Sequence, residues 1–314
     1  MTAQATEEAY WLALSSNPKV FEAERVARAQ RSLGSLSELW ESPVERLELL
    51  GFSKFALSEF NKLRTDVNLQ SLSEKVEQLR RSGTKIISYS DSKYPALLRD
   101  LKNRLDGAPL VIFHRGSLLD FERCVAVVGT RNLSLHGYIM ARKFARALAT
   151  HGYTVVSGLA RGTDVTAHRA ALEVKNGKTI AVLPWMEPLY PPEHDQLARD
   201  IQARGAILSE HLESSKRLAP GDFVLRNRII SGMSLCLIAV ESGEEGGTVH
   251  QVRFAALQGK KVFVVKPRMN DSRAVSGYRS FVKEGAVPVS SPRAVLEFLT
   301  KGEPSRHIDE FIRS

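Results

Sequence analysis

The chain has 314 residues, of which 43% are hydrophobic and 25% are charged. These values are typical of globular proteins and argue against disorder, collagen and coiled-coil arrays, and the length favours two domains. Lysine and arginine outnumber aspartate and glutamate by 44 to 35, which gives a formal charge of +9. Residues 121–314 hold 27 basic and 19 acidic side chains, against 17 and 16 in residues 1–120. A basic excess confined to one part of the chain predicts an anionic partner for that part.

The sequence argues against several other kinds of site. Cys124 and Cys236 are the only cysteines, and no C-x-x-C pattern occurs, so neither a disulfide framework nor a zinc site is expected. The histidines lack metal-ligand spacing. The N-terminal segment carries acid where a signal peptide carries base, and no apolar run approaches the ~18 residues of a membrane span. We therefore expect a cytoplasmic protein with no cofactor, no metal ion and no membrane contact.

The N-terminal part of the sequence has a helical pattern. Residues 7–65 show helical periodicity broken by proline and glycine, which predicts a bundle of three to five short helices. Ser71 followed by Glu74 resembles a capping box and predicts a helix that ends at Gly83. Strand composition starts after this glycine. We assign residues 1–68 to a small all-helical domain.

The rest of the sequence alternates strands with helices. The apolar run CVAVVG precedes a helix whose apolar stripe holds Met140, Phe144, Ala147 and Leu148, and YTVVSG follows. The alternation continues through TIAVLP, AILSE, LCLIAV and KVFVVK. Strands that are apolar on both faces and separated by helices predict an α/β fold with a doubly wound, mostly parallel sheet.

Two turns in this pattern are candidate phosphate sites. Ligands of open α/β sheets bind beyond the carboxyl ends of the strands. Gly129-Thr130-Arg131 follows the first strand, and residues 157–164 follow the second, each leading into a helix N-terminus that favours anions. Each turn contains an arginine, Arg131 or Arg161, which favours an anion site. Neither turn contains G-x-G-x-x-G, so the usual dinucleotide site is disfavoured.

The segment 216–234, KRLAPGDFVLRNRIISGMS, is the densest basic feature. Basic residues surround one aromatic residue, Phe223; they are Lys216, Arg217, Arg226 and Arg228. Such a combination suits single-stranded nucleic acid, because cations follow the phosphates and a ring stacks on a base. In isolation the segment would be interpreted as a core phenylalanine beside a solvated basic face. Its place on the same edge as Arg131 and Arg161 favours nucleic acid.

A hydrolytic triad of Ser157, Asp164 and His168 is a further hypothesis, since the last two are spaced i, i+4. No G-x-S-x-G elbow surrounds the serine. The simpler interpretation is that Asp164 caps or charges a helix N-terminus and that His168 packs against the turn. We therefore expect no catalytic residue here.

The runs SGLARGTDVTAHRAAL and RNRIISGMS, with VAVVGTR and AVESGEEGGT, resemble the DNA-processing protein A (DprA, or Smf) family from about Trp11 to Leu299. The resemblance implies a non-enzymatic protein that binds and protects incoming single-stranded DNA and loads the RecA recombinase in natural transformation. It also implies an extended Rossmann fold, here over residues 69–302, that forms homodimers. Residues 303–314 would then be a short tail, without the winged-helix domain of longer members.

Residue by residue, the family's glycine-serine-arginine pocket motif falls on Gly129, Thr130 and Arg131. The family's serine-glycine-leucine-alanine turn begins at Ser157. Its arginine pair falls on Arg226 and Arg228, which flank Asn227. The expected DNA-binding residues are Gly129, Thr130, Arg131, Ser157, Gly158, Arg161, Gly162, Lys216, Phe223, Arg226, Asn227 and Arg228. In this hypothesis the arginines contact phosphates, backbone N–H groups of the turns assist, and Phe223 stacks on a base.

Two alternatives stay open at this point. Residues 245–248 resemble the phosphate loop of the nucleoside-monophosphate phosphoribohydrolases, which share the architecture. Those enzymes need an acidic group where this chain has Gln251, and an amide stabilises an oxocarbenium ion poorly. The other alternative is a DprA-like DNA-binding protein of mobile-element or antiphage systems, which no residue excludes.

Overall fold

The computed structural model describes residues 5–18, 20–101, 107–117, 120–214 and 220–301. Lys216 and Arg217 lie outside the described residues, as does the predicted tail 303–314. The described part consists of a group of short helices followed by a nine-stranded sheet with helices on both faces.

Five helices occupy the N-terminal region, as predicted. They are α1 (Glu7–Ser15), α2 (Ala23–Leu33), α3 (Leu36–Glu41), α4 (Val44–Leu49) and α5 (Lys54–Asp66). Their centre is aromatic: the Trp40 and Phe60 rings meet edge-on with centroids 5.3 Å apart. The next helix, α6 (Leu69–Arg81), is capped by Asn68, whose side chain accepts from the Ser71 N–H at 3.0 Å. The predicted cap at Ser71 was therefore wrong by three residues.

Nine strands form one sheet in the order β1-β2-β6-β5-β4-β3-β7-β8-β9. They are β1 (Lys85–Ser88), β2 (Val111–Gly116), β3 (Cys124–Val128), β4 (Thr154–Ser157), β5 (Thr179–Leu183), β6 (Ala206–Ser209), β7 (Cys236–Ala239), β8 (Lys261–Val265) and β9 (Val287–Val289). Strands β3 to β9 are parallel, and β2 pairs antiparallel with both β1 and β6. This confirms the mostly parallel α/β sheet.

Helices cover both faces of the sheet. They are α7 (Ala96–Arg99), α8 (Leu135–Thr150), α9 (Thr163–Leu172), α10 (Asp195–Arg204), α11 (Pro220–Gly232), α12 (Gly247–Leu257), α13 (Ser272–Lys283) and α14 (Arg293–Lys301). Alternate residues of β3 enter two different apolar cores: Val125 and Val127 pack with α8 and α9, whereas Ala126 packs with α11 and α12. The second core also includes the N-terminal helices, so the helical region and the sheet share packing. No described helix is long and apolar enough to cross a membrane.

The order of strands reverses at β3. The chain winds from β3 through β6 in one direction, and β7, β8 and β9 lie on the other side of β3. The turns that follow β3 and β7 therefore flank the switch point, which is where open α/β sheets bind ligands.

A buried histidine lies on α9 beneath these turns. The His168 Nδ1 atom lies 2.7 Å from the Thr179 hydroxyl, and that hydroxyl donates its own proton to the Val155 carbonyl at 2.7 Å. Nδ1 must therefore be the protonated nitrogen, and Nε2 has no hydrogen-bond partner in the described part of the chain. Burial, followed by nearby positive groups, lowers the pKa of His168 to about 3.

This histidine makes the fold sensitive to acid. Between pH 6.5 and about 3 the unfolded chain binds a proton at His168 and the folded chain does not, so the free energy of unfolding falls as the pH falls. The contribution reaches about 1.4 kcal/mol per pH unit. Urea unfolding between pH 7 and pH 4 should show a shallower dependence for His168→Gln than for the wild type, whatever their stabilities at pH 7. Equal slopes would contradict this assignment.

Candidate nucleic-acid interface

The turn after β3 is in direct backbone contact with the residues that follow β7 and β4. The Thr130 N–H donates to the Glu241 carbonyl at 2.8 Å, and the Thr163 N–H donates to the Thr130 carbonyl at 3.1 Å. Gly162 has a φ of +75°, and a Cβ there would lie 2.4 Å from the Thr130 carbonyl oxygen. A Cβ at Gly129 would lie 2.4 Å from the Thr163 hydroxyl. Both glycines are therefore required for this close approach.

Carboxylates of the chain itself occupy the N-termini of both helices that start at these turns. Asp164 accepts from the backbone N–H groups of Gly158, at 3.1 Å, and Ala160, at 3.3 Å. Glu241 accepts from the backbone N–H of Ser134 at 3.2 Å and from its hydroxyl at 2.6 Å. The predicted role of the Gly158 N–H as a phosphate donor is therefore not supported, because that donor is already engaged.

Arg226 is buried behind the second turn. Its guanidinium donates to the Gly158 carbonyl at 2.8 Å and to the Val182 carbonyl. A Cβ at Gly158 would lie 2.2 Å from the guanidinium, so the glycine makes room for it. Burial lowers the pKa of Arg226 to about 10, although the nearby Asp164 carboxylate opposes the shift. The expected contact of Arg226 with a phosphate is therefore wrong, because its guanidinium faces the protein interior.

The two residues after Arg226 also face inward. The Arg228 guanidinium binds both carboxylate oxygens of Glu210, at 2.8 and 2.9 Å, and its side chain is 3% exposed. Asn227 is buried and donates to the Gly247 carbonyl at 3.4 Å. The motif RNR thus anchors α11 to the sheet.

An aromatic cluster lies in front of α11. The half-buried Phe223 ring meets Trp185 with centroids 5.5 Å apart and Tyr190 with centroids 5.7 Å apart, both edge-on. The Arg131 guanidinium carbon lies 5.5 Å from the centroid of the Phe223 ring, in a cation–π contact. Trp185 and Tyr190 were not among the predicted residues.

The arginines of the two turns differ in their partners. Arg131 is exposed, and no carboxylate of the described residues lies within 4.0 Å of it. Arg161 is also exposed, but its Nε lies 2.5 Å from a Glu193 carboxylate oxygen. Of the two, only Arg131 offers a guanidinium without an acidic neighbour.

The model of the DNA recombination-mediator protein A family matches residues 85–300 of this chain. The chain belongs to that family. Protein Smf from Synechocystis sp. is 32% identical over 301 residues, which cover 94% of this chain and 73% of that protein. DprA from Bacillus subtilis is 32% identical over 232 residues, which cover 73% of this chain and 74% of that protein. The expected DprA/Smf resemblance is confirmed.

Two solved structures of the family are similar to this chain at 26% sequence identity. The X-ray structure of DprA from Streptococcus pneumoniae has a TM-score of 0.75 and covers 92% of this chain and 97% of that one. DprA from Helicobacter pylori, whose structure concerns its single-stranded DNA binding mode, has a TM-score of 0.61 and covers 70% of this chain and 97% of that one.

The residues of the alternative hydrolytic hypotheses are not arranged for catalysis in this DprA-family chain. The Ser157 hydroxyl donates to the Val127 carbonyl at 2.7 Å, and His168 hydrogen-bonds Thr179 instead of the serine. Gln251, at the position where the phosphoribohydrolases need an acid, is buried within α12. Ser157 is therefore not activated by His168, and position 251 carries an amide instead of an acid.

Sequence reasoning missed the cations beyond β8. Lys266, Arg268 and Arg273 are exposed, and Arg273 donates to the Thr130 hydroxyl at 2.9 Å. Lys266 and Arg268 belong to the run KVFVVKPR, so a basic strand end was visible in the sequence. The place of Arg273 beside Thr130 depends on β7 and β8 lying on one side of β3, which local patterns do not reveal.

The structure predicts that Arg226 matters for stability and Arg131 does not. Arg226→Gln should lower the free energy of unfolding by roughly 3 kcal/mol, because two buried carbonyls lose a charged donor and Asp164 loses its counter-charge. Arg131→Gln should change it by about 0.5 kcal/mol or less, since the side chain is exposed. Urea unfolding at pH 7 compares the two, and an Arg226→Gln variant as stable as wild type would contradict the structural role.

Proposed function

We propose that this chain binds single-stranded DNA at the strand-end edge, the surface formed by the turns that follow β3 to β8. The observation that carries the proposal is the exposed Arg131 guanidinium, which lies over Phe223 without an acidic partner among the described residues. A guanidinium in contact with an aromatic ring can bind a phosphate and stack on a base. The single-stranded DNA binding mode described for the Helicobacter pylori relative supports the choice of ligand.

Within this proposal the expected residues have three roles: contact with the strand, flanking of the contact, and support of α11 from the interior. Arg131 contacts the DNA strand, and Gly129 and Thr130 hold its backbone in place. Tyr190, whose side chain is 41% exposed, offers a second ring for stacking on a base. Phe223 supports the Arg131 guanidinium in addition to any contact with a base. The second turn, with Ser157, Gly158, Arg161 and Gly162, flanks this centre, and Lys216 stays an expected contact from outside the described residues. The buried residues Arg226, Asn227 and Arg228 act by holding α11 in place.

We further propose that the chain acts without catalysis in DNA processing. In this role it protects incoming strands and loads RecA during natural transformation, and a homodimer supplies two binding sites for one strand. Two linked sites would raise the avidity for a strand long enough to reach both. Membership of the DNA recombination-mediator protein A family, with its DprA relatives, supports this role.

Binding of a labelled oligothymidylate, titrated with salt, tests the proposed site. Arg131→Ala should weaken binding roughly ten-fold at low salt and reduce the salt slope by about 0.7, because one phosphate contact is lost. Arg161→Ala should have a smaller effect, since its guanidinium is already paired with Glu193. A duplex of the same length should bind more weakly than the single strand.

The matched control is Arg146→Ala. Arg146 lies near the far end of α8 and pairs with Glu173, away from the strand-end edge, so its removal should leave the binding curve unchanged. Equal affinity for single and double strands, or an Arg131→Ala curve that matches the control, would refute the site.

The biological role is tested in the organism that carries the gene. Deletion should lower the transformation frequency, and a copy encoding Arg131→Ala should fail to restore it although the wild-type copy does. Normal transformation in the deletion strain would instead favour the mobile-element or antiphage alternative.

A further inference from the structure

A cleft of about 200 Å³ lies where the strand order reverses. It opens between the turn after β3, the turn after β7 and the start of α13, and its polar lining includes Asn132, Ser134, Glu241, Asp271 and Arg273. A protein cavity of about 150 Å³ accommodates benzene, so this cleft has room for one six-membered ring.

The one cation among the lining residues of this cleft lacks an acidic partner. Arg273 donates to the Thr130 hydroxyl and has no carboxylate within 4.0 Å among the residues described. Arg161, in the turn after β4, differs, because it forms an ion pair with Glu193. A phosphate would have to displace a carboxylate there, whereas beside the cleft it would not.

The acidic groups that line the cleft are held by helix N-termini. Glu241 binds Ser134 at the start of α8, and Asp271 accepts from the backbone N–H of Ala274 at 3.0 Å at the start of α13. The positive end of each helix offsets part of the negative charge.

We propose that the cleft receives one unstacked nucleobase of the strand bound at Arg131, while Arg273 contacts the next phosphate. The inference rests on the proposed function, because the strand must first reach Arg131. The exposed amide of Asn132, directly after Arg131, has no side-chain partner in the described part of the chain and carries both a donor and an acceptor for a base edge.

The phosphate part is tested by oligothymidylate binding under the same salt titration. Arg273→Ala should weaken binding roughly five-fold and reduce the salt slope by about 0.7. Arg279→Ala is the matched control, since Arg279 is exposed on the same helix but six residues further along, and it should bind like wild type. Arg273→Lys retains the charge, so it should recover most of the affinity if Arg273→Ala is impaired only by loss of a cation.

The base part is tested with oligonucleotides that carry one abasic residue at successive positions. One position should weaken wild-type binding several-fold. In Asn132→Ala the same abasic substitution should have a smaller effect, because the amide that contacts the base is already gone.

The results separate this inference from the function on which it rests. If Arg131→Ala weakens binding but Arg273→Ala matches Arg279→Ala, the cleft assignment is overturned and the binding site at Arg131 stands. If the abasic residue has the same effect on wild-type binding at every position, the proposed base contact is likewise overturned. If Arg131→Ala itself binds like wild type, the proposed function fails first.

Discussion

The buried carboxylate of Asp164 is the contact on which the arrangement of the site depends. From the start of α9 it accepts hydrogen bonds from Gly158 and Ala160 in the preceding turn, and it lies close enough to Arg226 for each charge to affect the pKa of the other. Burial still raises the pKa of Asp164, so this compensation is incomplete. A nucleotide phosphate would normally take this place at a helix N-terminus. Because the Asp164 carboxylate already occupies this site, an external anion must bind nearer the surface, where Arg131 is exposed.

Glu241 plays the same part at the N-terminus of α8, where it accepts hydrogen bonds from Ser134. Together with Asp164 it explains how charge is distributed over the strand-end edge. Negative groups lie at helix N-termini, where the helix dipole and backbone donors stabilise them. Positive groups divide into those with a carboxylate partner, such as Arg161 and Arg228, and those without one among the described residues, such as Arg131 and Arg273. The formal charge of +9 therefore measures binding capacity poorly. What matters is which cations remain without a partner.

The sequence predicted the fold better than the direction of its side chains. Buried parallel strands are apolar on both faces, so their runs stand out in the sequence, and a turn after such a strand identified Arg131. The pattern RNR does not show whether its guanidiniums face solvent or the core. The Arg228 guanidinium faces inward because it pairs with Glu210, which is distant in the sequence. Helix capping had the same ambiguity, because Asn68 and Ser71 both suit an N-cap. The cleft depended on β7 lying beside β3, a long-range pairing that no local pattern contains.

The exposed and buried arginines are mechanically linked through α11. Phe223, which supports the Arg131 guanidinium, lies one turn before Arg226, whose buried guanidinium ties that helix to the turn after β4. Thr130, the neighbour of Arg131, is fixed by hydrogen bonds from Thr163 and to Glu241. An arginine held in this way loses little freedom on binding, which favours affinity. Loss of Arg226 would therefore weaken DNA binding without removing a phosphate contact, and the salt slope distinguishes the two roles because it counts only the phosphates that are neutralised.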